Sequence, residues 1–386
     1  MSNQKTRRNI GLVVLVVIIV AAVAGGYGYY LTAGSRNTAQ SPATSDQAVS
    51  ILGAGATFPA PLIQKWTVEY KSLYPSVTIN YNPIGSGGGI QQITQKTVDF
   101  GASDAPLSDS QLQNATGLVI MPETLGGVAI TYNLQSYGIS NNTAINFTGD
   151  VLAAIYIGRI TQWNDPAIQV LNPNLQLPKA AITAVHRSDG SGTTYAFTDY
   201  LSAVNSDWKS TVGRSTSVTW PVDKTGTGIG AKGNAGVAGT VVNTPGAIGY
   251  VDVIYAVGQH LGIGAVKNAA GNFVLPTLET IANAAASATG TPNPSDLRLH
   301  IVNAAGDQSY PIATYTYVLI YREMSTQPSM NKGKAEGLAK FLWWAVHDGQ
   351  KYAPDLIYAP LPQNIVSADE QLLQSLTYQG QALITR

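Results

Sequence analysis

The chain has 386 residues, a formal net charge of zero, 11% charged residues and no cysteine. This length accommodates two or three domains, and the lack of cysteine excludes disulfides, thiolate metal ligands and cysteine nucleophiles. No run of Lys and Arg points to a nucleic-acid partner, and the four histidines, at positions 186, 260, 300 and 347, lack metal-ligand spacing. The sequence therefore predicts no metal site and no cofactor.

The N-terminus has the features of an export signal. Lys5 and Arg7 precede an uncharged stretch at residues 9–34, and a basic start followed by an apolar core is typical of a signal peptide. The stretch is longer than the roughly 18–20 residues that span a bilayer. Residues 1–34 are therefore predicted to be a signal or anchor segment, with residues 10–33 as a membrane helix if the segment is retained. In both cases the rest of the chain is expected on the outer side of the cytoplasmic membrane.

Residues 35–49 are rich in Ser, Thr, Ala and Gln and are predicted to form a flexible linker. Three short predicted strands then follow, and each ends in a turn of small residues. The first turn carries Thr57 and Phe58, the second carries Ser86, and the third carries Asp104. In an open parallel sheet such turns gather at the carboxyl ends of the strands, where ligands bind.

The remaining pattern predicts alternating helices and strands. Helices are expected at residues 62–74, 91–96, 150–157, 202–208, 334–347 and 369–380, and strands at 126–133, 247–257 and 314–322. A further segment, residues 226–239, contains Gly228, Gly230 and Gly233 in a GxGxxG spacing. Because no apolar strand precedes these glycines, as a dinucleotide site requires, we interpret the segment as a glycine-rich loop beside a binding cleft.

Residues 185–197 contain the most informative motif, in which a short apolar strand leads into a glycine turn and a helix. Arg187 and Asp189 precede the turn, and Ser191, Gly192 and Thr193 begin the helix. A helix start offers free backbone N–H groups and the positive end of the helix dipole, and an arginine adds a planar fork of donors. By itself, the motif is equally typical of a capped helix with a surface Arg–Asp pair and of an anion site.

Taken together, these turns resemble those of the substrate-binding proteins of phosphate-specific ABC importers, the Pst family. The similar motifs lie at residues 53–61 (GAGATFPAP), 84–89 (IGSGGG), 98–107 (VDFGASDAPL), 187–193 (RSDGSGT), 230–236, 245–251 and 311–312. They cover nearly the whole chain beyond the predicted linker. Four such turns in the same order favour the anion site over four unrelated helix caps.

The resemblance implies an α/β fold of two lobes, the type II periplasmic-binding-protein fold, in which each lobe is a central β-sheet flanked by helices. Two hinge crossings are expected to join lobe I, residues 50–130 plus 311–386, to lobe II, residues 131–310, and an N-terminal hydrophobic helix is expected to precede them. The resemblance also implies that inorganic phosphate binds between the lobes by hinge closure. The phosphate would then pass to the membrane subunits of an ABC permease that is driven by a cytoplasmic ATPase.

Carried over position by position, the ligand contacts of the family fall on the turns described above. The resemblance assigns phosphate contacts to Thr57, Phe58, Ser86, Asp104, Arg187, Ser191, Gly192 and Thr193. It assigns to Asp189 the orientation of Arg187, and it assigns no catalytic residue. Gly87 stands where the family commonly has a second serine, and His186 stands where it has another basic residue or an apolar one. Neither departure removes an assigned contact.

Asp104 is the one acid among these assigned contacts. A carboxylate beside an anion is repulsive unless it accepts a hydrogen bond, and at neutral pH phosphate still carries a proton whereas sulfate does not. Asp104 is therefore expected to accept phosphate and to reject sulfate. Arsenate resembles phosphate closely and stays open as the ligand, while sulfate and molybdate are disfavoured alternatives.

Two other functions stay open at the level of the sequence. A phosphatase or phosphotransferase with Ser86 or Ser191 as its nucleophile would need a general base or a metal. The nearest histidine, His186, follows the alternation of a strand and is expected to point away from the face of Arg187. A surface attachment protein is suggested by the predicted anchor and by Asn-x-Ser/Thr sequons at positions 114, 141 and 146.

Overall fold

The computed structural model describes residues 48–287 and 292–384. The predicted signal or anchor segment and most of the predicted linker lie outside these residues. Within the described part, no helix combines the length and the apolar character that crossing a bilayer requires.

The described residues alternate between strands and helices, as the sequence predicts. The strands are β1 Val49–Gly55, β2 Val77–Pro83, β3 Phe100–Ser103, β4 Leu118–Tyr132, β5 Asn146–Phe147, β6 Thr183–Arg187, β7 Gly228–Ala231, β8 Ala247–Asp252, β9 Gly262–Ile263, β10 Ala265–Lys267, β11 Phe273–Val274, β12 Ala313–Tyr321, β13 Thr377–Tyr378 and β14 Gln381–Ala382. The helices are α1 Ala60–Leu73, α2 Ser86–Thr94, α3 Asp109–Asn114, α4 Gly149–Ile157, α5 Pro166–Gln169, α6 Gly192–Val204, α7 Ser206–Thr211, α8 Pro221–Thr225, α9 Gly233–Asn243, α10 Val253–Gly258, α11 Leu278–Ala286, α12 Lys332–Val346 and α13 Gln363–Gln374. Short 3-10 helices lie at Gln135–Tyr137, Met324–Thr326, Asp348–Tyr352 and Pro354–Leu356.

The main sheet has the strand order β2-β1-β3-β12-β4-β8-β6-β7, with β9 also paired to β4. Strands β1, β2 and β3 are parallel to one another, and β6 is parallel to both β7 and β8. Each parallel group places the turns that follow its strands at one edge. The sheet therefore carries two sets of strand-end turns, one on either side of β4 and β12.

Strand β4 is shared by both groups. Its first part, Leu118 to Gly127, pairs with β12, whereas its last part, Val128 to Tyr132, pairs with β8. The returning chain passes beside the same point, because Gly127 pairs with Ala313 and the Val128 N–H donates to the Ile312 carbonyl at 2.9 Å. The two-lobe α/β fold of the periplasmic binding proteins, with two crossings, is thus confirmed.

Buried aromatic side chains join segments that are distant in the sequence on both sides of β4. Trp66 of α1 donates through Nε1 to the Gly349 carbonyl at 2.7 Å, and Trp163 donates to the Gly246 carbonyl at 2.9 Å. Phe197 of α6 stacks on Tyr250 of β8 with the ring centroids 4.5 Å apart. Such contacts combine apolar burial with satisfied polar atoms and stabilise the packing around the sheet.

The helix predicted at residues 91–96 begins earlier, at Ser86. The prediction was wrong because three consecutive glycines, which are poor helix formers, lie inside its first turns. The structure shows why they are there. A Cβ atom added at Gly89 would lie 2.5 Å from the Cα of Gly55, and one added at Gly87 would lie 3.0 Å from the Cα of Gly190.

The segment at residues 226–239 is not a loop. It forms strand β7 and helix α9, because the backbone of β7 is held by pairing with β6 rather than by apolar side chains of its own. The predicted strand at 247–257 ends at Asp252, whose side chain accepts from the N–H of Ile254 and caps α10.

Two other boundaries differ from the prediction. The helical stretch expected at residues 202–208 is broken at Asn205, which ends α6 and caps α7 by accepting from the N–H of Trp208 at 2.8 Å. The last helix, expected at 369–380, lies earlier, at Gln363–Gln374, and is followed by the β13–β14 hairpin. In both cases a local polar contact or a tight turn decides where the helix ends.

Candidate anion-binding site

Arg187 is the last residue of β6, and its side chain is 1% exposed. Its Nε and Nη2 atoms donate to the two carboxylate oxygens of Asp189 at 2.7 and 2.5 Å. This two-bond pairing fixes the plane of the guanidinium group and compensates its burial. Although burial alone would raise it, the pKa of Asp189 is held below its ordinary value by the hydrogen bonds and charge of Arg187. Asp189 is thus placed where it can orient Arg187.

Helix α6 starts directly after the glycine turn. The Ser191 hydroxyl accepts from the N–H of Thr194 at 3.0 Å and caps the helix, and the Ser191 N–H donates to the Thr216 carbonyl at 2.8 Å. An accepting hydroxyl keeps its own hydrogen free to donate. Ser191 is therefore both the helix cap and a candidate donor to an anion.

Ser86 lies on the other side of the cleft, at the first position of α2. Its hydroxyl accepts from the N–H of Gly192 at 2.9 Å and from the N–H of Asp104 at 3.3 Å. The preceding residue, Gly85, has φ 93°, and an added Cβ would lie 2.4 Å from an Asp189 oxygen. Glycine is required here both for the backbone conformation and for the close approach of the two walls.

Asp104 follows β3 and is 1% exposed. Its Oδ2 atom accepts from the Thr193 hydroxyl at 3.4 Å, and the same hydroxyl accepts from Nη1 of Arg187 at 3.4 Å. One hydroxyl therefore links the positive group of one lobe to the negative group of the other.

The two walls touch at several glycines. The Gly87 N–H donates to the Gly190 carbonyl at 2.9 Å. A Cβ atom added at Gly192 would lie 2.5 Å from the Cβ of Asp104, a distance that real Cβ contacts do not reach. The described conformation is therefore a closed one, and a side chain at these positions would hold the walls apart.

Thr57 and Phe58 complete the predicted contacts. The Thr57 hydroxyl accepts from the N–H and the Nδ2 group of Asn234 at 3.2 and 3.0 Å, which is another bond between the lobes. Its carbonyl accepts from the Tyr255 hydroxyl at 2.6 Å. Phe58 is fully buried, and its carbonyl accepts from the Tyr358 hydroxyl at 2.6 Å.

Asn234 was not predicted as a functional residue. Its Nδ2 group also donates to the Thr193 hydroxyl at 3.3 Å, and its Oδ1 atom accepts from the N–H of Asp252 at 3.0 Å. It lies within the 230–236 motif, so a polar residue among glycines was the available signal. The Asp252 carboxyl, whose Oδ2 atom lies 2.6 Å from the Tyr358 hydroxyl, was missed as well.

Glu123 and Thr316 were also missed. Glu123 is 1% exposed and lies on β4, and Thr316 is fully buried and lies on the neighbouring β12. The Thr316 hydroxyl is 3.2 Å from a Glu123 oxygen and 3.3 Å from an Asp104 oxygen. An acid inside an otherwise apolar strand was the signal in the sequence.

Burial raises the pKa of both acids on this wall. The pKa of Asp104 is raised to about 7, against the opposing effects of the Arg187 charge and the Thr316 and Thr193 hydroxyls. The pKa of Glu123 is raised to about 8 by burial and by the charge of Asp104, while the Thr316 hydroxyl acts in the opposite direction. Burial also raises the pKa of Asp252 well above its ordinary value.

His186 points away from the site, as the alternation of the strand predicts. Its Nε2 atom is 2.7 Å from a carboxylate oxygen of Asp223, and its ring stacks on Trp220 with the centroids 4.8 Å apart. This explains the departure from the family pattern at this position, because the histidine has a structural environment of its own.

The structure thus brings all the predicted contact residues to one place, where buried donors and one buried acid meet between the lobes. A cavity of about 250 Å³ reaches this place and is lined in part by Thr57, Asp189 and Lys232. Three larger cavities in the described part, of about 780, 760 and 520 Å³, contain none of the predicted contacts. The site itself is narrow because its walls are hydrogen-bonded to each other. The chemistry it supports is recognition of a small oxyanion.

Comparison with known proteins points the same way. The profile of the PBP superfamily domain matches residues 37–348. The phosphate-binding protein PstS of Xylella fastidiosa (strain 9a5c) is 42% identical over 335 residues, which cover 87% of this chain and 88% of that protein. The protein of the same name in Haemophilus influenzae is 41% identical over 342 residues, 88% of this chain and 95% of that one. The phosphate-binding protein of Stenotrophomonas maltophilia aligns at 21% identity with a TM-score of 0.60, over 83% of this chain and 93% of that chain, a likeness of fold.

Proposed function

The chain belongs to the PBP superfamily and, within it, to the PstS phosphate-binding proteins, and from that premise we propose that it captures inorganic phosphate between its two lobes by hinge closure. It acts as an extracytoplasmic solute-binding protein and not as an enzyme. The ligand contacts are those assigned above, from Thr57 to Thr193, with Asp189 holding Arg187 in place. Lobe I comprises residues 50–130 plus 311–386, and lobe II comprises residues 131–310.

One observation carries this proposal: the Thr193 hydroxyl links Arg187 of one lobe to Asp104 of the other inside a buried cleft. Arg187 keeps hydrogen on Nη1 and Nη2 beyond its bonds to Asp189, because a guanidinium has five N–H donors. The start of α6 adds the positive end of its dipole, and its Gly192 N–H, which is bonded to the Ser86 hydroxyl in the described conformation, faces the same cleft. Together they supply donors to an anion from more than one direction.

Asp104 gives the site its choice among anions. A phosphate that still carries a proton donates to the Asp104 carboxylate, whereas sulfate has no proton to donate and leaves two negative oxygens facing each other. Leaving a buried charged pair unmatched costs about 2–5 kcal/mol. Arsenate carries the same proton as phosphate and is accepted by the same rule.

We further propose that the closed, loaded protein delivers phosphate to the membrane subunits of an ABC permease with a cytoplasmic ATPase. Its place is the outer side of the cytoplasmic membrane. Residues 10–33 are the candidate anchor, and they lie outside the described residues. The names of the PstS relatives support this assignment.

The test is a calorimetric titration of the full chain with phosphate, arsenate and sulfate at pH 8, where Asp104 is mostly ionised. Phosphate and arsenate are expected to bind, and sulfate is expected to bind at least about 30-fold more weakly, which corresponds to about 2 kcal/mol. Equal binding of phosphate and sulfate would contradict the role of Asp104, and no binding of either anion would contradict the function.

A further inference from the structure

The wall that carries Asp104 holds a second buried acid, Glu123, which belongs to no predicted contact. Glu123 lies at an irregularity of the β4–β12 ladder. Thr316 pairs with Thr124 and Tyr317 pairs with Pro122, so Glu123 has no partner in the register. Such a bulge turns a side chain out of the ordinary alternation of the strand, and here the Glu123 carboxyl lies beside the Thr316 hydroxyl.

The Thr316 hydroxyl lies between two carboxyl groups. It is 3.2 Å from Oε1 of Glu123 and 3.3 Å from Oδ1 of Asp104. All three side chains are at most 1% exposed, so water does not replace a missing hydrogen bond. The number of hydrogens shared by the three side chains therefore decides whether each of these contacts can be a hydrogen bond.

A hydroxyl has one hydrogen to donate and can accept as well. If both acids were ionised, Thr316 could donate to only one of them, and the other would face a lone pair. If one acid is protonated, its O–H donates to Thr316 and the Thr316 O–H donates to the other carboxylate. A single proton in the pair thus satisfies every contact.

Glu123 is the acid that keeps this proton. Within the described residues its Oε2 atom has no hydrogen-bond partner, and an ionised carboxylate in that position would be uncompensated. Asp104, in contrast, also accepts from Thr193, which in turn accepts from Arg187. Asp104 is therefore the better site for the negative charge.

The other groups around the pair do not supply a countercharge to Glu123. On β2, the Tyr81 hydroxyl donates to the Ala56 carbonyl, and burial together with the charge of Glu123 raises its pKa well above the ordinary value. The Gln350 amide bonds the backbone carbonyl of Glu123 and not its carboxyl. Around Asp104 the further titratable groups are Asp252, Tyr255 and Tyr358, and burial raises the pKa of each of them.

We propose that Glu123 is a positioning residue of the phosphate site, which holds one proton and shares it with Asp104 through the Thr316 hydroxyl. This inference rests on the proposed function and adds a regulation to it. With the proton present, Thr316 points its hydrogen at Asp104 and keeps that carboxylate ready to accept from phosphate. When the proton is lost at alkaline pH, a second negative charge lies behind Asp104 and the anion binds more weakly.

The substitution Glu123→Gln keeps the shape of the side chain but removes its ability to lose a proton. It therefore tests the role of the proton alone. The glutamine amide N–H donates to Thr316 as the protonated acid does, but it does not ionise. Phosphate affinity of Glu123→Gln at pH 7 is therefore expected to stay within about twofold of the parent, while its decline at higher pH is flattened. Above the pKa of Glu123, the phosphate affinity of the parent should fall more steeply than that of the variant, by up to about tenfold more per pH unit, because binding is linked to the proton on Glu123.

The experiment is a set of phosphate titrations from pH 6 to pH 10 on the full chain, on Glu123→Gln and on Thr316→Val, which removes the shared hydroxyl while nearly keeping its shape. Glu336→Gln is the matched control, because Glu336 is paired at the surface with Lys332 at 3.9 Å. We expect the control to follow the parent. We expect Thr316→Val to bind less tightly already at pH 7, because Asp104 loses one of its two hydroxyl donors.

A second measurement does not depend on phosphate. Infrared spectra at pH 7 should show C=O absorption of protonated buried carboxyls that is weaker in Glu123→Gln than in the parent and unchanged in Glu336→Gln. Overlapping pH profiles of the parent and Glu123→Gln would overturn the inference, as would an unchanged infrared band. If no variant and no parent binds phosphate but the band behaves as expected, the proposed function fails and the proton on Glu123 stands.

Discussion

The two walls of the cleft differ in how they handle buried charge. On the predicted lobe II wall, Arg187 is neutralised by Asp189 through two hydrogen bonds, and the start of α6 adds the positive end of its dipole. On the predicted lobe I wall, Asp104 and Glu123 are two buried acids whose carboxyl groups share one hydroxyl. The first arrangement attracts any oxyanion that fits. The second is tolerable only when protons are present, and it therefore makes the site sensitive to whether the ligand carries a proton.

Removal of Arg187 should produce the largest effect. In Arg187→Ala, Asp189 is left buried without its partner and the anion loses its only charged donor among the predicted contacts. Phosphate affinity should therefore fall by about 3–5 kcal/mol, a factor of roughly 150 to 4,000. Calorimetry measures this. Arg159→Ala is the matched control, because Arg159 forms an exposed pair with Asp207. Unchanged phosphate affinity in Arg187→Ala would show that Arg187 does not contact the anion.

The Asp104 wall is tested by Asp104→Asn. An amide offers donors to an anion without a negative charge, so sulfate should bind better and phosphate worse. The phosphate-to-sulfate ratio should fall by about 2 kcal/mol or more, roughly 30-fold. Competition between the two anions, measured by calorimetry at pH 8, gives this ratio directly. Equal ratios in the variant and the parent would show that selectivity lies elsewhere.

The contact between the walls is tested by Gly192→Ala. The new Cβ would lie within 2.5 Å of the Cβ of Asp104, so closure should be impeded and phosphate affinity should fall by about 1–3 kcal/mol, the usual range for overpacking. Gly239→Ala is the control, because an added Cβ there meets nothing within 4 Å. Phosphate affinity in the parent range for both variants would mean that the walls need not meet as closely as described.

The last expected effect is a change of the free energy of unfolding with pH. The folded pKa values of Asp104 and Glu123, about 7 and about 8, exceed their ordinary values, so the folded state binds more protons than the unfolded state between roughly pH 4 and pH 8. The free energy of unfolding should therefore increase as the pH falls from 8 to 5, and it should decrease as the pH rises again.

Denaturant unfolding at pH 5 and pH 8 measures this change. Between pH 8 and pH 5, the parent should gain more stability than a variant with both Asp104→Asn and Glu123→Gln, by on the order of several kcal/mol. If the free energy of unfolding changes equally with pH in the parent and in the double variant, Asp104 and Glu123 do not contribute to the pH dependence of stability.

The sequence was sufficient to predict residues that act through local chemistry. Arg187, Asp189 and Ser191 lie within one turn, and the donors of a helix start follow from its position after a strand. Ser86 and Asp104 were grouped with each other because strand-end turns of a parallel sheet share an edge, and the resemblance placed this group opposite Arg187. The resemblance supplied the order of the turns and the two-lobe fold, which the structural and sequence relatives confirm.

Residues that act across distant strands could not be predicted in this way. Glu123 and Thr316 are 193 positions apart, and they meet only because a bulge changes the direction of one side chain. Asn234 reaches Thr57 from a helix whose preceding strand has no apolar pattern. The start of α2 was missed for a related reason, since its glycines serve contacts with Gly55 and Gly190 rather than the helix itself.

Strand β4 has a consequence for how the molecule comes apart. One continuous strand supplies the central ladder of both halves, and its pairing partner changes between Gly127 and Val128. If one half unfolded alone, β4 would lose the strand paired with one part of it, although the other half also needs β4. The halves should therefore lose their structure as one cooperative unit, which a heating experiment would record as a single peak of heat absorption.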